Sequence, residues 1–547
     1  MLHAQTSLCV TLISVLITIN CKLIEDATIV QLPKGKIRGH ILKSANNKDF
    51  YAFQEIPYAA PPVGQNRFKL PKEPEAWNDV LDTTKNTKIC YQYETRYHNL
   101  EITEDCLYLN VYTPRIPGSD DLLPVLFYIH GGSLVNDSGT IEYYGPKYLI
   151  DHEVVIVTIN YRMGPFGFVG TNDGVIPLNL GFKDQVLAIE WVNQNIHLFG
   201  GDPDSVTLVG QSAGSLSVGY HLIGPWNNGK QLFHGVIMQS GTPVSGLLEQ
   251  QPGTETETAF QLGRAIDPSF TSNNTKDLLK LLIDADAHDL MWTHIVGGAA
   301  LERDGPFSYL PLQSFIDGNY KKVPVLLGFN SEEWLFAYFD LSNEFLETVD
   351  QNPDLLIRSL LNMSTENRRI AGKLLQQLYT KNKTFVQDWG AYVRYITDEY
   401  FTTGIFKQVE LASSHVPYYL YKFSYKGYLG EQMDMLPYLP ADVETVAHAE
   451  EVTYMWDNGS NSDLSQFPKE DVLMSQRFLK LWTNFVKYHN PTPEVDTLFD
   501  NVIWEKSNAS IKYLNINKTF AMQEYPRQFE AVKRIKETYM ERPYNCI

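Results

Sequence analysis

Apolar residues in this chain gather in short, nearly unbroken runs. VLFYIH (125–130), VVIVTIN (154–160), VTLVG (206–210), GVIMQS (235–240), VPVLLGF (323–329) and VPYYLYKF (416–423) lack the alternation of a strand with one wet face. Such runs predict strands buried on both faces, and therefore a mainly parallel sheet. Between them, KDQVLAIEWVNQNIHLF (183–199) spaces its apolar residues at helical intervals, beginning beside Asp184 and stopping at Gly200–Gly201. Strands alternating with helices predict an α/β fold with a doubly wound sheet. SFTSNNTKD (269–277) and DNGSNSDLSQ (457–466) read as surface loops, with strand-like segments on both sides. No internal repeat interrupts the pattern. One large domain over residues 22–547 is the expectation.

The first residues, MLHAQTSLCVTLISVLITINC, carry an uncharged apolar core from Leu8 to Ile19. That is too short for a bilayer, which needs about 20 apolar residues, and the expectation is a secretory signal peptide over residues 1–21. No later stretch is apolar for 18 residues, so a membrane anchor is not expected. The composition, 44% hydrophobic and 20% charged over 547 residues, is that of a globular protein in water. A net charge of −19 repels phosphate backbones and anionic membrane surfaces, which argues against nucleic-acid binding.

Secretion changes how the cysteines and asparagines read. Of five cysteines, Cys9 and Cys21 belong to the leader. Cys90 and Cys106 flank the polar segment YQYETRYHNLEITED and suit a disulfide, whose loop closure is worth roughly 3 kcal/mol. Cys546 is left over, free or paired with another chain, and the absence of any C-x-x-C pair argues against zinc. Seven N-x-S/T triplets become candidate glycan sites: Asn136, Asn273, Asn362, Asn382, Asn458, Asn508 and Asn517.

The most informative stretch is VTLVGQSAGSLSVGYHL (206–222). A strand turns sharply into a helix around Gly210-Gln211-Ser212-Ala213-Gly214, the G-x-S-x-G pattern in which a serine is held out of the sheet as a nucleophile. A serine hydroxyl needs a base, and the base needs an acid to orient it. Enzymes with this elbow set the order serine, acid, histidine. His415, His448 and His489 follow the strand VPVLLGF; position favours His448, in the loop-like ADVETVAHAEEVTYMW. Glu332 and Glu333 stand just past that strand, and spacing does not separate them. His130-Gly131-Gly132-Ser133 ends another strand with small residues, so that backbone N–H groups can approach a reacting carbonyl.

Taken together, EDCLYLNVYTP (104–114), IHGGS (129–133), NYRMGPFGF (160–168), the run LGFKDQVLAIEWVNQNIHLFGGDPDSVTLVGQSAG (180–214) and MQSG (238–241) resemble the cholinesterase and type-B carboxylesterase family, with APPVGQNRF (60–68) fitting as well. The resemblance covers about residues 24–540, and secreted insect carboxylesterases are the most similar members. It implies an α/β-hydrolase fold with Ser212 as nucleophile, Glu333 as acid and His448 as base. It places the oxyanion on the N–H groups of Gly132, Ser133 and Ala213, and sets Ser240 behind the acid. No metal or cofactor is implied.

Three positions depart from the pattern: Ser133 and Trp334 stand where the family has glycine, and Thr445 replaces the glycine of G-x-x-H-x-x-D/E, which otherwise matches His448 and Glu451. Gln211 before the nucleophile, and a Cys90–Cys106 loop without tryptophan, disfavour a choline ester; Gln at this position also resembles juvenile hormone esterases, which leaves that specialised role open. The expected protein is a secreted, glycosylated serine carboxylesterase acting on small apolar esters, with capture of organophosphates or carbamates on Ser212 as a second behaviour. The rival is a non-catalytic binding protein on the same fold. Retention of all three reactive positions favours the enzyme.

Overall fold

The apolar runs become the middle of one eleven-stranded sheet. The computed structural model describes residues 28–541 apart from 94–98, 225–229, 304, 306, 307, 309, 360, 431–442, 509 and 525–527. The expected leader, with Cys9 and Cys21, and the remaining Cys546 lie outside the described residues. In chain order the strands are β1 (His40–Lys43), β2 (Asp49–Pro57), β3 (Tyr108–Thr113), β4 (Leu123–Ile129), β5 (Val155–Ile159), β6 (Gly201–Gln211), β7 (Gly235–Gln239), β8 (Val325–Asn330), β9 (Tyr418–Phe423), β10 (Lys512–Ile516) and β11 (Ala521–Glu524). Across the sheet they run β11-β10-β9-β8-β7-β6-β4-β5-β3-β2-β1. From β10 to β5 every neighbour is parallel, while β11 at one edge and β3, β2 and β1 at the other are antiparallel.

Burial on both faces explains the unbroken runs. Along β4, Val125, Phe127 and Ile129 enter one core, while Leu126 and Tyr128 enter the other. Strand β8 divides likewise, with Val325 and Leu327 on one side and Leu326 on the other. Helices α1 (Leu180–Asn195) and α2 (Ala213–Ile223) cover the first face with Ala188, Ile189, Val192, Leu216 and Val218. Helix α3 (Lys469–Tyr488) covers the second with Phe478, Trp482 and Phe485. The doubly wound, mainly parallel sheet expected from the sequence is present.

One local expectation needs correcting. Asp184 does not mark the start of the helix, which begins at Leu180 after Asn179 in a left-handed conformation. Its carboxylate is fully buried and accepts from Arg162: Nε at 2.8 Å, Nη2 at 2.7 Å and the backbone N–H at 3.0 Å. The acid serves a tertiary ion pair rather than the helix end. Cys90 and Cys106 form the disulfide, with Cα atoms 4.9 Å apart. No helix among the described residues is long and apolar enough to cross a membrane.

A second buried ion pair fixes helix α4 (Phe529–Tyr539) to the rest. Lys536 Nζ lies 2.6 Å from Glu399 Oε2, and both side chains are essentially inaccessible. Glu399 belongs to a π-helical turn, Asp398–Thr402, that interrupts the helical run from Trp389–Thr397 to Thr403–Ala412. Lys536→Met, which strands the carboxylate without its cation, should destabilise the protein by about 3–5 kcal/mol. Lys536→Met combined with Glu399→Met should recover most of that loss, a comparison that urea unfolding reads directly.

Candidate active site

Strand β6 ends at Gln211 and helix α2 starts at Ala213, so a single residue turns the chain. That residue, Ser212, takes φ +57° and ψ −123°, a region where a side chain costs roughly 1–3 kcal/mol. The turn is held by Ser212 N–H donating to Gln239 C=O at 2.8 Å and by Leu216 N–H donating to Ser212 C=O at 2.9 Å. A β-carbon on Gly214 would stand 2.0 Å from the Ile129 carbonyl oxygen, and one on Gly210 would stand 2.3 Å from the Gly214 carbonyl. The flanking glycines are therefore required by backbone contact, and Ser212 is left half-buried above the sheet. The N-terminus of α2 favours negative charge there.

Glu333 follows β8, and His448 lies in the segment after β9. The two segments are tied by their backbones: His448 N–H donates to Glu333 C=O at 3.2 Å and Glu332 N–H to Val446 C=O at 3.0 Å. His448 Nδ1 then meets Glu333 Oε2 at 2.6 Å. The other oxygen of Glu333, itself fully buried, accepts from Asn330 N–H at 2.6 Å. The choice between the adjacent acids is resolved by direction, because a Glu332 oxygen accepts instead from Glu444 N–H at 3.3 Å. Burial pulls the His448 pKa down, but the charge and hydrogen bond of Glu333, with the charge of Glu451, outweigh it and leave the imidazole above its ordinary value.

Glu451 is a buried participant with its own electrostatics. Its carboxylate accepts from Asn330 Nδ2 at 2.6 Å and from Gln239 Nε2 at 3.1 Å. Burial first, then the charge of Glu333, pushes its pKa up to about 7 against the opposing pull of Asn330 and His448. Asn330 also donates to Ala447 C=O at 2.7 Å, so one side chain joins β8, Glu451 and the turn before His448. Nothing in the sequence signals this use of Asn330.

The loop after β4 packs directly on the elbow: a β-carbon on Gly131 would stand 3.0 Å from Ser212 Cβ. Gly132 has φ +85° and Ser133 φ +56°, and the N–H groups of Gly132, Ser133 and Ala213 donate to no protein group among the described residues. Ser133 is exposed, so its hydroxymethyl group is accommodated where the family pattern has none. His130 is not a second base. It is fully buried and stacked on Tyr161 at 4.5 Å, and burial lowers its pKa.

Ser240 lies beside the site with φ +57°, its N–H donating to Gly328 C=O at 2.9 Å. Its buried hydroxyl makes no hydrogen bond to Glu333 or to any other described residue. Trp334 stacks on Tyr400 at 5.1 Å, and its N–H donates to Thr397 Oγ1 at 3.2 Å. Phe401 and Phe336 place their rings 5.1 and 5.8 Å from that of His448. This aromatic wall escapes sequence reasoning because its halves lie on separate segments. The three ligand-type side chains that cluster among the described residues, Asp286, His288 and Asp289, are all exposed, and none is a predicted site residue.

A serine above the sheet, a histidine on a buried glutamate and N–H groups beside the serine suit attack on an ester carbonyl. The profile of the carboxylesterase family matches residues 26–533. The chain is 32% identical to a juvenile hormone esterase of Tribolium castaneum, over 91% of this chain and 89% of the relative. It is 31% identical to esterase FE4 of Myzus persicae, over 89% of each. The crystal structure of juvenile hormone esterase from Manduca sexta, with OTFP covalently attached, superposes with a TM-score of 0.83 at 26% identity, covering 94% of this chain and 99% of that one. The chain belongs to the carboxylesterase family and is a carboxylic ester hydrolase of the α/β-hydrolase fold.

Proposed function

We propose that hydrolysis proceeds through an acyl-enzyme on Ser212, and the observation that carries this reading is the 2.6 Å contact between His448 Nδ1 and Glu333 beside a serine at a helix N-terminus. Ser212 Oγ attacks the ester carbonyl and His448 Nε2 accepts the hydroxyl proton. Glu333 keeps the neutral tautomer with its proton on Nδ1, and stabilises the imidazolium once it forms. The carbonyl oxygen becomes an oxyanion and takes donors from Gly132, Ser133 and Ala213. Collapse expels the alcohol, which leaves with the proton from His448. Water then attacks the acyl-enzyme under the same base, releasing the carboxylic acid and restoring Ser212.

Substrate choice follows from the surroundings. Phe336, Phe401 and Trp334 offer apolar ring surface beside the base, which suits esters with an apolar group and gives a choline head no anionic partner from Gln211. A juvenile hormone is the proposed natural ester, supported by the two juvenile hormone esterases of Tribolium castaneum and Heliothis virescens among the relatives. Faster hydrolysis of juvenile hormone than of short naphthyl esters tests this choice; the reverse ranking assigns the protein to general ester clearance. An organophosphate would meet the same oxygen: Ser212 Oγ bonds to phosphorus, the leaving group departs, and His448 takes the proton.

Secretion after removal of residues 1–21 is part of the same reading, supported by the apolar core Leu8 to Ile19 and by the disulfide. Asn273, Asn362, Asn382 and Asn508 are exposed, whereas Asn136, Asn458 and Asn517 are half-buried. Glycans are expected at the exposed four, and peptide mass mapping of the secreted protein before and after deglycosylation checks each position.

Ser212→Ala should lower kcat/KM by at least ~10³-fold with little change in stability, measured with a nitrophenyl ester. The pH dependence has a definite sign. Protonated His448 has no free lone pair for the serine proton, so kcat/KM falls as pH drops through a pKa above the ordinary imidazole value of about 6.5. Glu451→Gln removes a negative charge that supports the imidazolium, and should move this acidic limb to lower pH.

A further inference from the structure

Gln211, the last residue of β6, is only 5% exposed and touches two parts of the site at once. Its Nε2 lies 3.2 Å from His448 Nε2. With Nδ1 donating to Glu333, neutral His448 presents a lone pair at Nε2, and a carboxamide N–H is the group that donates to it. The carboxamide oxygen points the other way. A β-carbon on Gly131 would stand 2.9 Å from Gln211 Oε1 and 2.8 Å from the Gln211 carbonyl oxygen. The side chain is thus wedged between the oxyanion loop and the imidazole, and it occupies the nitrogen that must receive the Ser212 proton.

We propose that Gln211 is a positioning residue: in the resting enzyme its carboxamide holds His448 by Nε2 in the neutral, acceptor form, and it yields that nitrogen to the Ser212 hydroxyl when a substrate carbonyl enters. This rests on the Ser212–His448–Glu333 reading. Glu333 faces Nδ1, and Glu451 adds its charge from its own segment. Phe336 and Phe401 contribute only ring faces. Both charged groups favour the imidazolium, and Gln211 is the neutral donor that opposes it. A carboxylate at this position would lack the N–H and would stabilise the charged ring.

The test is kcat/KM against pH, on a neutral nitrophenyl ester, for the full chain and for Gln211→Met, Gln211→Asn, Gln211→Glu and Ser212→Ala. Gln211→Met removes the donor, and Gln211→Asn withdraws it by one methylene. Each should raise the acidic limb by about half a pH unit. Gln211→Glu adds a charge within ~4 Å of the ring and should raise the limb by more than one unit. A limb unmoved in both Gln211→Met and Gln211→Asn, with kcat/KM lowered equally at every pH, reduces Gln211 to packing and overturns the proposal. If Gln211→Met fails to fold by circular dichroism, Gln211→Asn decides. Ser212→Ala separates the two levels. Full activity in that variant ends the triad reading and this proposal with it, whereas an inactive Ser212→Ala beside unmoved limbs refutes the Gln211 role alone.

Discussion

Everything at the site depends on how closely the backbone of β4 approaches the turn between β6 and α2. The Ile129 carbonyl stands where a side chain at position 214 would begin, so strand, turn and helix form one packed unit with no adjustable gap. That contact sets the height of Ser212 above the sheet. It also brings the Gly131–Ser133 loop against Ser212, so the proposed nucleophile and oxyanion donors are spaced by the same backbone that makes the sheet. The unfavourable φ at Ser212 is held by hydrogen bonds to β7 and within α2. Folding energy, distributed over two large cores, maintains a local conformation that the isolated peptide would leave.

The second constraint is electrostatic. Glu333 and Glu451 are both fully buried near one imidazole, and each is satisfied by Asn330. Burial first, and then the charge of Glu333, holds the Glu451 carboxyl up at about 7, beside an imidazole that the two acids push above its ordinary value. Asn330, at the end of β8, is the neutral hub of this arrangement. It supplies donors to both acids while fixing the segment that carries His448.

Much of this was legible in the sequence because the strongest signals are local. The central strands announced themselves as runs with both faces buried, and Gly210 and Gly214 around Ser212 marked a turn that only glycine permits. Chain order then drew attention to His448. Glu332 and Glu333 stayed indistinguishable on spacing alone, since the difference lies in which oxygen faces the imidazole. The antiparallel margins were harder to read, because a strand such as AMQE in β11 is short and half wet. Asp184 misled as a helix start because its partner, Arg162, is a neighbour only in the fold. The aromatic wall was invisible for the same reason: Phe336 and Phe401 converge on His448 from separate segments. Ser240 matches its family position, yet its hydroxyl bonds to nothing among the described residues.

The three residues of the proposed triad are dispersed along the chain, with Glu333 and His448 115 positions apart and Ser212 and Glu333 further apart still. A ribosome adding about 5–20 residues each second makes the serine well before the histidine exists. For that interval the elbow has no base, and until the segment after β8 has been made it has no acid either. On the proposed mechanism a half-made chain is inert, and it becomes an esterase only once the segment after β9 has been added. On that reading, premature termination between the second and third of these residues yields a protein without hydrolytic power, so the chain order itself delays activity until the C-terminal part is made.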